Sequence, residues 1–217
     1  AGGGLMAVGS LIHASGCEFL ENRAPSGAAL AAAHGVLELS STRVRRNGGS
    51  AESGAAISVW DGVLNVGSTI ISKNEGGLSG GGLEIRDGAT FRAMFVTVAE
   101  NRCTGRGGGL YVGEGSGALL LRTLIAGNCA AEGSDAYVAE TGMLVQECTF
   151  LDSTRVAISG LWTSYDGSRG GDPGFMATSG CGLDGASDFR LRSDSQCRDV
   201  PVCGTIGSGY PKDDDGT

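Results

Sequence analysis

Residues 80–101 read GGGLEIRDGATFRAMFVTVAEN. A glycine cluster opens the stretch and an asparagine closes it. Between them, apolar residues stand at every second position: Leu83 and Ile85, Phe91 and Ala93, Val96 and Val98. Period-two alternation marks strands that bury one face. Three such strands fit between the glycines and Asn101, and strands this short do not fold alone.

The pattern returns along the chain. Its opening recurs as GGGL (2–5), GAAL (27–30), GAAI (54–57) and GGGL (107–110), with a degraded copy at GSDA (133–136). Its close recurs as FLEN (19–22), VRRN (44–47), ISKN (71–74) and IAGN (125–128), so that Asn22, Asn47, Asn74, Asn101 and Asn128 are spaced by 25 and then 27 residues. First-strand pairs run Leu5 and Ala7, Leu30 and Ala32, Ile57 and Val59, Leu83 and Ile85, Leu110 and Val112, Ala136 and Val138. Second-strand pairs begin at Ile12 and Ala14 and end, on the same count, at Met143 and Val145. Third-strand pairs run from Cys17 and Phe19 to Cys148 and Phe150.

A fixed period of this length means stacked units, each burying its inward face on the next. The expected fold is all-β: a right-handed, single-stranded parallel β-helix of about six coils of 25 to 27 residues, about 4.8 Å apart. The hand follows from the right-handed rule for parallel crossovers. Residues 1–153 form the coils, and residues 154–217 a last partial coil and an irregular C-terminal cap. A helical solenoid is excluded, because glycine clusters and β-branched residues at period two are poor helix formers. Each asparagine is expected at a corner, in the left-handed backbone region, with its amide bonded to those above and below.

Composition agrees. Gly makes up 40 of 217 residues, more than double the usual share of about 7%. The net charge of −8 excludes an electrostatic nucleic-acid partner, which needs a clustered basic surface. No run of about 18 apolar residues exists to insert into a membrane. GGGL opens a coil at residue 2 with nothing to cover its edge, so further coils or a neighbouring subunit are expected there.

The repeats resemble those of chlamydial polymorphic outer membrane proteins and the wider set of secreted bacterial β-helix proteins, through the GGA[ILV]-like GAAL and GAAI and the FxxN-like FLEN. The resemblance covers residues 2 to about 153 and implies the exported passenger of a surface adhesin. The tail, with GDPGF (171–175), DFRL (188–191), SDSQCRD (193–199) and DDDG (213–216), is similar to the closing segment of many such proteins.

Seven cysteines lack any zinc spacing. Cys17 and Cys148 share an inward column five coils apart and are expected as free thiols. Cys103 and Cys129 sit in loops of adjacent coils, close enough to bond. Among Cys181, Cys197 and Cys203 one pair is expected. Disulfides place the chain in an oxidising compartment, secreted or on a bacterial cell surface.

Chemistry could sit at the corner after the first strand. His34, Asp61, Asp87, Glu114 and Glu140 share one position there, the first four followed by Gly. Stacked carboxylates at Asp61, Asp87, Glu114 and Glu140 could share a calcium ion, against the simpler reading of acid–glycine turns with no metal or other cofactor. Asp61, Arg86, Asp87 and Trp60 form the best enzyme-like cluster, as a lyase or glycosidase would require. Trp60, Tyr111, Trp162 and Tyr165 could stack on sugar rings, though Trp60 and Tyr111 occupy different strand positions and form no single platform. Glu21, Arg46, Lys73 and Glu100 form an exposed column that pairs opposite charges. Asp213–Asp215 could bind calcium but fit a solvated run equally. An ice-binding threonine ladder is absent, since Thr42, Thr69 and Thr123 point inward with Cys17 and Val96. These readings favour a structural, adhesive or glycan-binding module of a larger secreted protein, contacting a glycan or a cell-surface protein; the alternative is a carbohydrate-active β-helix enzyme.

Overall fold

A computed structural model describes residues 3–49, 54–165, 167–181, 185–198, 200 and 203–207. The chain is a right-handed parallel β-helix with no α-helix among those residues. Three strands per coil form three faces. The first sheet stacks seven strands from Leu5–Val8 to Val156–Ile158. The second runs from Leu11–Ser15 to Leu161–Ser164, and the third from Glu18–Leu20 to Phe150–Leu151. Val63–Ser72 and Thr90–Ala99 turn the corner between second and third sheets without a break.

The expected register holds through five coils. Leu30, Ile57, Leu83, Leu110 and Ala136 pair successively, and each is fully buried. In the sixth coil the count slips by one. Ala118 pairs with Leu144 and Leu120 with Gln146, so these point inward, while Met143 is 48% exposed. Thr149 and Leu151, not Cys148 and Phe150, continue the inward columns of the third strand. No asparagine marks the close of this coil, and an error of one residue exchanges the two faces of a strand.

The asparagine ladder is continuous. Asn22, Asn47, Asn74 and Asn101 each donate backbone N and Nδ2 to the Oδ1 of the next asparagine, at 2.8–3.0 Å. The left-handed residue is the one before: Glu21, Arg46, Lys73 and Glu100 have φ of 52–55°, and Gly127 has 70°. This corrects the expectation for the asparagine itself. Turning the chain one residue earlier leaves the asparagine free to aim its amide along the stack. Asn128 ends the ladder on Asp135 Oδ1, at 2.9 and 3.0 Å. Arg155 Nε holds the other oxygen of Asp135 at 2.6 Å. Burial pushes the Asp135 carboxyl above its usual range, against the opposing pull of Arg155 and Asn128.

Val156–Ile158 and Leu161–Ser164 add the expected last partial coil. The residues that follow return along the outside of the third sheet. There Phe175, Phe189, Val200 and Ile206 cover Ile70, Ala99, Leu124 and Phe150 in a second core. Phe175–Ala177 and Asp188–Leu191 pair antiparallel, with the rings of Phe175 and Phe189 5.1 Å apart. The charge column before the asparagines is not exposed throughout, since Lys73 and Glu100 are buried beneath this segment. Glu100 accepts from Ser179 N and Oγ, Gly180 N and Ser187 Oγ. Lys73 Nζ donates to Gly185 O.

The disulfides differ from expectation for the same reason. Cys129 bonds Cys181, and Cys148 bonds Cys203, with Cα separations of 5.9 and 5.5 Å. Both bridges join the coils to the returning segment. Cys103 does not pair with Cys129: its thiol turns into its own loop and donates to Arg106 O at 3.3 Å. No pair forms within Cys181, Cys197 and Cys203, and Cys197 is a buried free thiol. Cys148 is not the expected free thiol, because the slipped register moves it from the inward column to a corner with φ of 51°. Cys17 is free as expected.

Candidate binding face

The corner after the first strand brings its candidates together as neighbours, not as a catalytic set. Asp61 Oδ2 accepts from or faces His34 Nδ1 at 2.9 Å. Arg86 Nη2 donates to Glu84 at 3.0 Å, and the guanidinium lies over the Trp60 ring at 5.6 Å. Among the described residues no ion pair joins Arg86 to Asp61 or Asp87. Asp61 and Asp87 themselves take left-handed backbone, φ 44° and 57°, so the turn is made by the acid and not by the following glycine alone. Glu114 accepts from Thr141 N and Oγ1, which holds its carboxyl below the usual range. Glu140 is exposed. Among the described residues no three His, Cys, Asp or Glu side chains gather to hold a metal ion. Asp213–Asp215 lie outside the described residues.

The aromatic candidates lie in three separate places. Trp60 is on the outer first sheet. Trp162 pairs with Leu144 and packs against the end of the main core. Tyr165 is 57% exposed beyond the last strand. Tyr111 has a closer aromatic partner, Tyr137, than the sequence alone shows. Tyr111 and Tyr137 are cross-strand partners whose rings stack at 5.5 Å and 3°, and Arg106 caps Tyr137 at 4.9 Å. Buried Glu84 sits beside them, bonded to Ser79 Oγ at 2.7 Å and Ser58 Oγ at 3.3 Å. Burial, foremost, raises the Tyr111 hydroxyl pKa. These rings and guanidinium groups are engaged with one another, so the cluster stiffens the first sheet and presents little open ring face.

Coverage separates the three outer faces. On the first, Met6 in the edge coil is 47% exposed and Tyr111 half-buried, while Ala31, Ser58, Glu84 and Tyr137 are at most 6% exposed. On the third, Glu18 is exposed and Arg43 half-buried in the first two coils, and from the third coil Ile70, Thr97, Leu124 and Phe150 are at most 2% exposed. On the second, Leu11 is 68%, Met94 51% and Met143 48% exposed. This open face carries a groove of about 340 Å³ lined by His13, Glu38, Asn65, Arg92, Met94, Leu119 and Leu121. Gly67 leaves the dip: a side chain there would meet only Met94 O, at 4.0 Å.

The face changes character along the stack. In the first three coils two of its three columns are polar, with Glu38 between His13 Nδ1 and Asn65 Nδ2, each at 3.4 Å, and Ser40 bonded to Ser15 at 2.9 Å. From the fourth coil Met94, Leu119, Leu121 and Val145 replace these groups. Arg92 stands at the change, exposed. A second groove of about 390 Å³ continues past Met94 and Leu121 to Phe95, Arg122 and Glu147, with Arg122 over the Phe95 ring at 5.4 Å. Such a surface can offer hydroxyl-directed hydrogen bonds beside an apolar floor. The outward alternation in the second strand was legible, but that it alone stays open depends on where the tail goes. No helix of the described residues is long and apolar enough to cross a membrane. No family model, curated protein or solved structure matches the chain.

Proposed function

We propose that this chain is a non-catalytic extracellular or cell-surface module that makes adhesive or glycan contacts through the outer face of its second sheet. One observation carries the reading: from the fourth coil onward this sheet keeps large apolar side chains exposed, Met94 and Met143 among them, where the tail buries the outward residues of the third sheet. Exposed Met and Arg beside a polar strip are the residue types that recognition surfaces favour. The two disulfides support an oxidising environment. The repeat resemblance to surface adhesins points the same way. Against an enzyme, Arg86 is held by Glu84 and Trp60, so a base or carboxylate pair is not assembled with Asp61 and Asp87.

The test is binding to a broad glycan panel and to cell-surface protein extracts, comparing the native chain with Arg92→Glu/Met94→Asp. Both side chains are exposed, so the variant should fold and lose about tenfold or more in affinity. Unchanged binding would move the contact elsewhere. Release of unsaturated or reducing ends from a polysaccharide, abolished by Arg86→Ala, would restore the enzyme reading.

A further inference from the structure

Outward side chains of the second sheet stand in columns that run along the stack. The last outward column holds Gly67 in the third coil, then Met94, Leu121 and Glu147 in the fourth, fifth and sixth. Tyr165, whose N donates to Gln146 O at 2.9 Å, extends it into the seventh. The column beside it carries Arg92 in the fourth coil and Leu119 in the fifth. These features are balanced about the fifth coil. Two coils before it Gly67 leaves a dip, where a side chain would meet only Met94 O at 4.0 Å. Two coils after it Tyr165 stands 57% exposed. One coil before it Arg92 is exposed, and one coil after it Glu147 is exposed. Neither has an ion-pair partner among the described residues.

A face of this kind complements itself. We propose that the partner of the open face is a second copy of this chain, packed face to face across a twofold axis that runs along the strands at the fifth coil. The proposal rests on the reading of the second sheet as the contact face and names its partner. The rotation keeps each column over itself and reverses the order of the coils, so Leu119 and Leu121 each meet their own counterpart. It sets Tyr165 of each copy over the Gly67 dip of the other, twice by symmetry. Arg92 falls one column, about 7 Å along the strand, from Glu147 of the second copy, within the reach of an arginine side chain. Facing sheets pack about 10 Å apart with their side chains interdigitated, which suits a ring opposite a dip. The five shared coils cover about 24 Å of stack and about 17 Å of strand. That footprint is at the small end of specific interfaces, so pairing is weak in solution and gains strength where many copies are displayed together. The polar strip at His13 and Glu38 lies outside the overlap.

Sedimentation velocity of the intact chain over a concentration series tests this. The native chain should pass from monomer to dimer and no further, since a twofold contact closes on itself. Arg92→Glu and Glu147→Arg should each weaken dimerisation about tenfold or more, because each places two like-charged pairs in the contact. Arg92→Glu/Glu147→Arg should restore it, and no contact within one copy explains such a rescue, because the two residues lie two coils apart. Gly67→Gln, for which the fold has room, should also weaken the dimer by filling the dip. A chain that stays monomeric throughout the series overturns the proposal, as does a dimer indifferent to these changes or a double variant no better than its parents. If the chain never dimerises but Arg92→Glu/Met94→Asp still loses glycan or cell-surface-protein binding, the contact face stands and only its assignment to a second copy falls.

Discussion

Asn74 is held by Asn101 and Asn101 by Asn128, through the same two bonds in each coil. Ser179 is held by Glu100, and Gly185 by Lys73, through bonds that occur once. The coils repeat a local solution, so each covers the apolar face of the next. The returning segment has no repeat, and its place is set by particular partners: two cystines, one buried carboxylate and one buried ammonium. Damage should therefore spread differently in the two regions. A lesion in the ladder propagates to its neighbours above and below, whereas a lesion in the tail should stay in the tail.

The largest effect is expected where the repeat itself is broken. Asn101→Ala removes the acceptor of Asn74 N and Nδ2 and the donor to Ile71 O, at a residue with no exposed surface. Each buried group left without a partner costs about 1–3 kcal/mol, so a loss of about 3–5 kcal/mol is expected, on the scale of the total stability of many domains. Thermal unfolding followed by far-ultraviolet dichroism should show one transition at a much lower temperature. An unchanged transition would mean that the ladder follows the fold instead of supporting it.

Reducing both bridges tests the other half of the comparison. They close segments of 52 and 55 residues, and each is worth about 2–4 kcal/mol by restricting the detached chain. The expected result is rapid proteolysis within residues 167–207 with the strand signal of the coils intact. Loss of both together would show that the second core is part of the coils' stability and that the contrast is false.

The same contrast explains what was readable in advance. The inward columns, the ladder and the fold follow from residues about 27 positions apart, and each coil repeats the evidence of the last. The register of the sixth coil was not legible because no asparagine closes it, the ladder ending instead where Asn128 bonds Asp135. The tail's destination was written only faintly. Ile70, Leu124 and Phe150 are apolar at outward positions of the third strand, which an exposed sheet would not favour. Those residues show that something covers the third sheet, but not that residues 175–206 do so. Disulfide pairing failed with it, because Cys129 and Cys148 find partners 52 and 55 residues away, outside any period. The open face was equally beyond reach, since it stands out only once the tail has covered the third sheet.

Acid should separate the regions by the smallest margin: the tail's shifted carboxyls are all lowered, whereas the coils hold the raised Asp135 alongside the lowered, exposed Glu114 and the lowered Asp152. Asp172 is held below the usual carboxylate range by the Gly174 N–H and then by Arg192, and Asp188 by Arg190. Lowered carboxyls stabilise the folded state above the unfolded value of about 4, and that contribution is lost as pH falls through the folded values. Both residues belong to the tail, and their partners are substantially exposed, so each pair is worth no more than about 1 kcal/mol. Asp135, at the end of the ladder, is raised by burial. The folded state binds its proton more tightly than the unfolded chain does, so acidification through the ordinary carboxylate range favours the folded form at that position. Between neutral pH and about pH 3, the antiparallel pair Phe175–Ala177 and Asp188–Leu191 should therefore open before the coils do. An apolar dye reports the change, because opening exposes Phe175, Phe189 and Phe150. Dye fluorescence should rise below about pH 4 while the far-ultraviolet strand signal holds. Asp135→Asn should leave the dye transition where it is, since it alters the ladder and not the tail. If the strand signal falls first, or the dye transition moves with Asp135→Asn, the ladder end and the tail share one titrating network and the two regions are not independent.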